Sequence, residues 1–222
     1  MKPQTVPDIL PPRGQMAKRL SMLDAGARVF CSEGFAGANI DLIAAEAGVS
    51  RQTVYNNFGD KEKLFAAVVG EITDRCTAGA FAVLGTFPDH PKHLETDLTD
   101  FAIRFIRNCI CDRDGKFLRK LIHMEGERHP ELFASWRVGG PGKVWSALAA
   151  RFARLAFAGF LDIDDPDVAA RQFFSLIFTD LQIPALFGEV LSDKEVARSA
   201  RIAVVTFLRA YGRREAGGET PG

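Results

Sequence analysis

The chain has 222 residues, 47% hydrophobic and 25% charged, with 28 basic side chains balanced by 28 acidic ones. That is the make-up of a folded globular protein of one or two domains, and it excludes a disordered or polyelectrolyte chain. No stretch reaches the ~18 consecutive apolar residues of a membrane span, and Pro3, Pro7, Pro11 and Pro12 break up an N-terminus that has no signal-peptide core, so a cytoplasmic protein is expected.

Residues 1–14 are proline-rich and read as a disordered arm. A first helix is predicted from about Met16 to Ser32, with Leu20, Leu23, Ala27 and Phe30 as its buried stripe and Gly34 and Gly37 ending it. Asn39 then suits an N-cap, followed by Ile40, Ile43, Ala44 and Ala47 on one face. Gly48 can take the positive φ that ends this short helix. Ser50 caps the next one, whose buried stripe is Val54 and Phe58. Gly59 and Asp60 stop it, and Asp60 starts a long helix running to about Phe81.

Two short helices across a tight glycine turn make a helix-turn-helix. On the second, Gln52 and Asn56 lie opposite Val54 and Phe58, flanked by Thr53 and Tyr55, and Arg51 sits at the N-terminus. Side chains of these types hydrogen-bond base edges and phosphates. The alternative for this face is plain solvation. Nine basic and nine acidic residues occur up to position 80, so this half is not basic overall. DNA binding then asks Arg13, Lys18, Arg19, Arg51, Lys61 and Lys63 to share one face.

The match extends beyond the bare motif. Leu23-Asp24-Ala25, Phe30, Gly34-Phe35, Ile43-Ala44, Ala47-Gly48-Val49-Ser50, Thr53-Val54-Tyr55, Phe58, Lys61-Glu62 and Leu64 resemble the DNA-binding domain of the TetR family of bacterial transcriptional regulators. Asn57 stands where the family often has His, and Gly26 where it often has Ala. The resemblance implies phosphate contacts by Thr53, Tyr55 and Lys61 and a capping and backbone-facing role for Asn39; the arm is expected to be an inert tail, the alternative being a DNA contact by Arg13.

Beyond the long helix, Phe87-Pro88-Asp89-His90-Pro91 is a turn. Helices are predicted near 92–111, 116–128, 130–138, 143–160, 168–188 and 193–212, with breaks at Asp112–Gly115 and at Gly139-Gly140-Pro141-Gly142. Pro166 suits a first helical turn and Ser192 a cap. No period-two strand pattern occurs, so the protein is expected to be all-α. Glu127, Pro130-Glu131-Leu132 and the apolar stretch from Phe173 to Phe187 resemble, more weakly, the C-terminal domain of the AcrR-like branch of the same family.

The expected plan is an arm over 1–14, a helix-turn-helix DNA-binding domain over 15–62, a helical ligand-binding and dimerisation domain over 63–213, and a disordered tail over 214–222. Phe173, Phe174, Ile177 and Phe178 cover most of a helix circumference, which favours a homodimer built on the last two helices. Twelve of the eighteen phenylalanines follow position 100. Most are expected in the core and the dimer interface. A minority should line a pocket, and Phe101, Phe105, Met124, Trp145, Phe152, Phe174 and Phe178 are the candidates, with His123, Asp180 and Gln182 to orient a ligand. Such a wall suits a small hydrophobic effector.

His123 with Glu127, and Glu125 with His129, share helix sides, yet one His and one carboxylate per side is too few for a metal site; they read as surface charge. Cys31, Cys76, Cys109 and Cys111 form no C-x-x-C pair and are expected to be reduced thiols. No cofactor, no metal and no catalytic constellation is expected. The resemblance implies a repressor that leaves a palindromic operator when it binds its effector. The alternatives are an activator, a regulator controlled by a protein partner, and a small all-α enzyme.

Overall fold

The structure, a computed structural model, describes residues 13–213. The expectations for residues 1–12 of the arm, for the Arg13 side chain and for the tail over 214–222 lie outside what it describes. Among the described residues, helices and helical turns account for nearly all regular structure. An isolated antiparallel bridge joins Leu161 to Gly212. The helices are α1 (Arg13–Gly37), α2 (Ile40–Ala47), α3 (Arg51–Phe58), α4 (Lys61–Leu84), α5 (Leu94–Ile106), α6 (Arg113–Glu125), α7 (Pro130–Arg137), α8 (Lys143–Phe157), α9 (Pro166–Leu186) and α10 (Asp193–Tyr211). Two π-helical turns, Arg107–Cys111 and Val138–Gly142, extend α5 and join α7 to α8. The chain divides into two compact units between Glu71 and Ile72, within α4.

Side-chain caps set many of the helix starts. Asn39, Ser50, Asp112 and Asp165 each accept a backbone N–H two or three residues on. Asp60 does the same for the N–H of Lys63 at 2.7 Å. Ser192 and Glu195 form a reciprocal capping box at the start of α10. Each such cap satisfies a donor that the helix itself leaves unpaired, and is worth about 1 kcal/mol.

In the first unit, α1 packs on α2 and α2 on α3. Gly34 takes φ 69° and ψ 174°, so the straight run of α1 ends there and a short turn follows to Gly37. Phe65 sits edge-on to Phe30 and Phe35 at 4.9 and 5.1 Å. Met22, Leu23, Ala27 and Phe30 are buried, whereas Leu20 is exposed, so the stripe of α1 is rotated from the one expected. Gly26 has a packing reason: a Cβ there would come within 2.8 Å of Val68 Cγ2 on α4.

In the second unit α10 packs on α5 and α9, and α9 on α8. Its core is a cluster of rings. Phe173 meets Phe152 at 5.4 Å and Phe207 at 5.1 Å, and Phe87 meets Phe101 at 5.0 Å. Phe173, Phe174 and Ile177 are buried within this one chain, and Phe178 is half-buried against the same cluster. They therefore do not form the bare helix circumference from which an intermolecular face was expected. The large apolar side chains left exposed on or beside α9 and α10 are Ile183, Phe187, Val190 and Ile202.

Of the two expected breaks, the one at Gly139-Gly140-Pro141-Gly142 is helical, and the one at Asp112–Gly115 narrows to Asp112, extended at ψ 150°. Asp112 caps α6, and Gly115 lies inside that helix, where a Cβ would strike the carbonyl oxygen of Cys109. Gly140 is buried in a π turn, its α-carbon facing Thr73 and Thr77 of α4. These glycines permit close approach and do not interrupt the chain.

Candidate nucleic-acid interface and ligand cavity

Gly48, with φ 67°, turns α2 into α3 and donates its N–H to the carbonyls of Ala44 and Ala45. Val54 and Phe58 are buried against the first unit, which fixes the roll of α3 and leaves Gln52 and Asn56 exposed. The Gln52 amide donates to Asn56 Oδ1 at 2.8 Å, so the two side chains form one polar surface. Arg51, at the N-terminal end, pairs with Asp41 at 3.2 Å and donates to the Tyr55 hydroxyl at 3.4 Å. The Ser50 and Thr53 hydroxyls are 2.8 Å apart, with Ser50 also accepting the Thr53 N–H. Asn57 donates to the Thr53 carbonyl at 2.8 Å, a bond within its own helix.

Lys61 is placed differently from its expected role. Its ammonium donates to the carbonyls of Phe35 and Ala38 at 3.0 and 3.1 Å and lies 4.6 Å from the centre of the Phe35 ring. It closes the end of α1, where helix carbonyls lack N–H partners. Lys63 is tied to Asp60 at 2.8 Å, and Arg19 lies over the Phe58 ring at 4.6 Å. Three of the six basic residues expected on a shared face are therefore held by local partners, and Arg51 is a fourth through Asp41.

The second unit contains a cavity of about 630 Å³. One face of α9 lines it with Arg171, Phe174, Ser175, Phe178, Thr179 and Gln182, at spacings of three and four. α4 contributes Thr73, Cys76, Thr77 and Ala80, and α6 contributes Gly115, Leu118, Arg119 and Ile122. Both π turns reach the wall, through Asn108, Cys109 and Ile110 on one side and Gly140 and Pro141 on the other. Trp136 and Trp145, the two tryptophans of the chain, complete the apolar part. Burial pushes the Cys76 thiol up to about 12 and the Cys109 thiol up to about 11, so both stay protonated at neutral pH. Burial also lowers the pKa of Arg119, which remains a cation.

Residues 22–68 match the sequence pattern of bacterial regulatory proteins of the tetR family, and residues 96–213 match the C-terminal domain of AefR-like transcriptional repressors. The chain belongs to the TetR family of transcriptional regulators. The HTH-type transcriptional repressor AcnR of Corynebacterium efficiens is 38% identical over 151 residues, covering 67% of this chain and 71% of AcnR. The HTH-type transcriptional activator FasR of Mycolicibacterium smegmatis is 32% identical over 121 residues, so the match spans about half of each, 54% of this chain and 52% of FasR. A TetR-family regulator from Mesorhizobium loti superposes with a TM-score of 0.75 at 29% identity, covering 91% of this chain and 100% of that one. The flavonoid-responsive regulator FrrA superposes with a TM-score of 0.65 at 29% identity, covering 89% of this chain and 98% of FrrA.

Of the wall residues expected for this TetR-family chain, Phe105, Trp145, Phe174, Phe178 and Gln182 do line the cavity. Phe101 and Phe152 do not: both are fully buried among Phe87, Phe173 and their neighbours, further along the same helices. His123 and Met124 are exposed, because the buried row of α6 is Gly115, Leu118, Leu121 and Glu125. Asp180 is exposed too, two residues out of phase with the cavity-facing row of α9. Glu125, read as surface charge, is 2% exposed, with Arg128 at 3.5 Å. The sequence reading missed Arg119, although Gly115, Arg119 and Ile122 form an i, i+4, i+7 row that a helical wheel exposes.

Proposed function

We propose that this regulator is a cytoplasmic homodimeric repressor that binds a palindromic operator and releases it when a small effector fills the cavity of the second unit. One α3 per subunit enters the major groove, with Gln52 and Asn56 at base edges and Asn39, Ser50, Thr53 and Tyr55 toward the sugar-phosphate backbone. Arg51 joins them once it exchanges Asp41 for a phosphate. The observation that carries the reading is α4. This helix follows directly on the recognition segment, and its later turns supply Thr73, Cys76, Thr77 and Ala80 to the cavity wall. A ligand that favours one placement of α4 changes the population able to hold both half-sites. The exposed Ile183, Phe187, Val190 and Ile202 support a partner face on α9 and α10. Repression is favoured by AcnR and by the AefR-like domain match; activation, as in FasR, is the second reading.

The test is selection of binding sites from a random duplex pool, followed by anisotropy titrations. A two-fold-symmetric site should emerge, and Gln52→Ala or Asn56→Ala should reduce discrimination against base changes by about 1–3 kcal/mol. Equal affinity of the unaltered protein for selected and random duplexes would reject the proposal.

A further inference from the structure

Among the described residues, the cavity wall contains two guanidinium groups, Arg119 and Arg171, and no carboxylate. Arg119 is half-buried. Its Nη1 donates to the Cys109 carbonyl and its Nη2 to the Ile110 carbonyl at 2.6 Å, both in the π turn that follows α5. Its Nε is buried and has no hydrogen-bond partner among the described residues. Neither arginine forms an ion pair with an acidic side chain among the described residues. The titratable groups that bear on Arg119 are the Cys76, Cys109 and Cys111 thiols, and burial raises the pKa of each, so they stay neutral and supply no counter-charge.

A buried cation without a counterion is costly, because carbonyl dipoles solvate a guanidinium without neutralising it. Closing the π turn accounts for the two terminal nitrogens of Arg119. It leaves unexplained the spare Nε, the second arginine on the cavity face of α9, and the absence of any acid from the wall. A wholly apolar occupant would strip the remaining water from Arg119 and return nothing. An anion would neutralise the charge and form the charge-assisted bonds for which a guanidinium is built.

We propose that the effector is an amphipathic organic anion, its largely aromatic body seated against Trp136, Trp145, Phe174 and Phe178 and its acidic head on Arg119. This rests on the reading of the cavity as the effector site and narrows the ligand expected from the sequence, which was simply hydrophobic. Arg171, exposed on the same row of α9, adds a second positive charge toward which the head is drawn.

The experiment uses two probes with the same ring system, 1-anilinonaphthalene-8-sulfonate and uncharged N-phenyl-1-naphthylamine, titrated into the full-length protein. Energy transfer from tryptophan reads occupancy, since both tryptophans of the chain line this cavity. The anionic probe should bind about tenfold or more tightly than the neutral one. R119Q should abolish that preference, the anionic probe losing far more than the neutral one, and R119K, which keeps the charge but not the fork, should retain part of it. Should R119Q not fold, R171Q at an exposed position carries the same test: the anionic probe weakens and the neutral one does not. Equal binding of both probes to the unaltered protein, or equal loss of both in the variants, overturns the anionic head while the cavity stands. Absence of energy transfer to either probe rejects the effector site itself.

Discussion

The two units of this regulator are built to opposite specifications. The first is closed by small residues and caps: Gly26 lets α1 touch Val68, Asn39 and Ser50 start the short helices, and Lys61 seals the end of α1. The second sets a dense ring cluster around Phe173 beside a cavity of about 630 Å³. Two π turns reach its wall, and Arg119 donates to two carbonyls of the one that follows α5. The difference teaches where each unit tolerates change. A DNA-reading unit gains from holding one surface fixed, which the buried Val54 and Phe58 do for α3. The second unit keeps space open on one side of α9 and packs rings on the other.

The sharpest way to break this comparison is within α9. Phe173 faces the ring cluster and is fully buried, whereas Phe178, five residues on, faces the cavity. Phe173→Ala should cost about 3–5 kcal/mol in chemical denaturation. Phe178→Ala should cost clearly less, since that side chain already borders empty space. Equal losses would mean that the cavity wall is as much a part of the core as the cluster. In the head, Gly26→Ala should cost about 1–3 kcal/mol by forcing a methyl into Val68, and its loss combined with that of Val68→Ala should be less than the sum of the two single losses. Additive losses in the double variant would remove the contact as the cause.

Lys61 sharpens the line between holding the head together and touching DNA. Lys61→Ala should lower the melting stability by about 1–2 kcal/mol, the scale of charged hydrogen bonds, and leave the salt dependence of DNA binding unchanged. A salt slope flatter by about one unit with unaltered stability would restore the phosphate role implied by resemblance.

The smallest effect concerns the thiols of the body. Cys76 and Cys109 have folded pKa values raised from 9.0, so the folded state keeps protons that the unfolded state releases. Their contribution to stability is complete below about pH 8 and is lost as pH climbs past 9 toward the folded values. The loss between pH 7.5 and pH 9 should be under about 1 kcal/mol. It should shrink in a Cys76→Ala, Cys109→Ala variant, measured by urea denaturation at each pH. A pH response identical in that variant would assign the effect to other groups.

How much could be read without coordinates follows this same division. The α2–turn–α3 segment was readable because its determinants are local: a cap, a stripe of two apolar residues and one positive-φ glycine lie within about twenty positions. In the body, helix phases were readable only where the buried stripe was uniformly apolar. α6 was misjudged because its inward row includes Gly115, Arg119 and Glu125, residues that composition assigns to turns and surfaces. Gly115 and Gly140 looked like parts of breaks, since a sequence shows the lack of a side chain but not the carbonyl or threonine pressed against it.

The sequence by itself determined the all-α class, the helix-turn-helix, its exposed polar face and the family, because these depend on spacings within a few turns of chain. Tertiary structure alone decided which phenylalanines fill the core and which border space, that Lys61 turns inward to α1, and that a guanidinium stands in the cavity wall with no acid beside it among the described residues. The physical reason is distance along the chain. Arg119 meets carbonyls of a π turn ten residues earlier, and the wall it joins also draws on α4, α8 and α9. No local pattern records which helices will converge, and only their packing shows whether a charge among them has a partner.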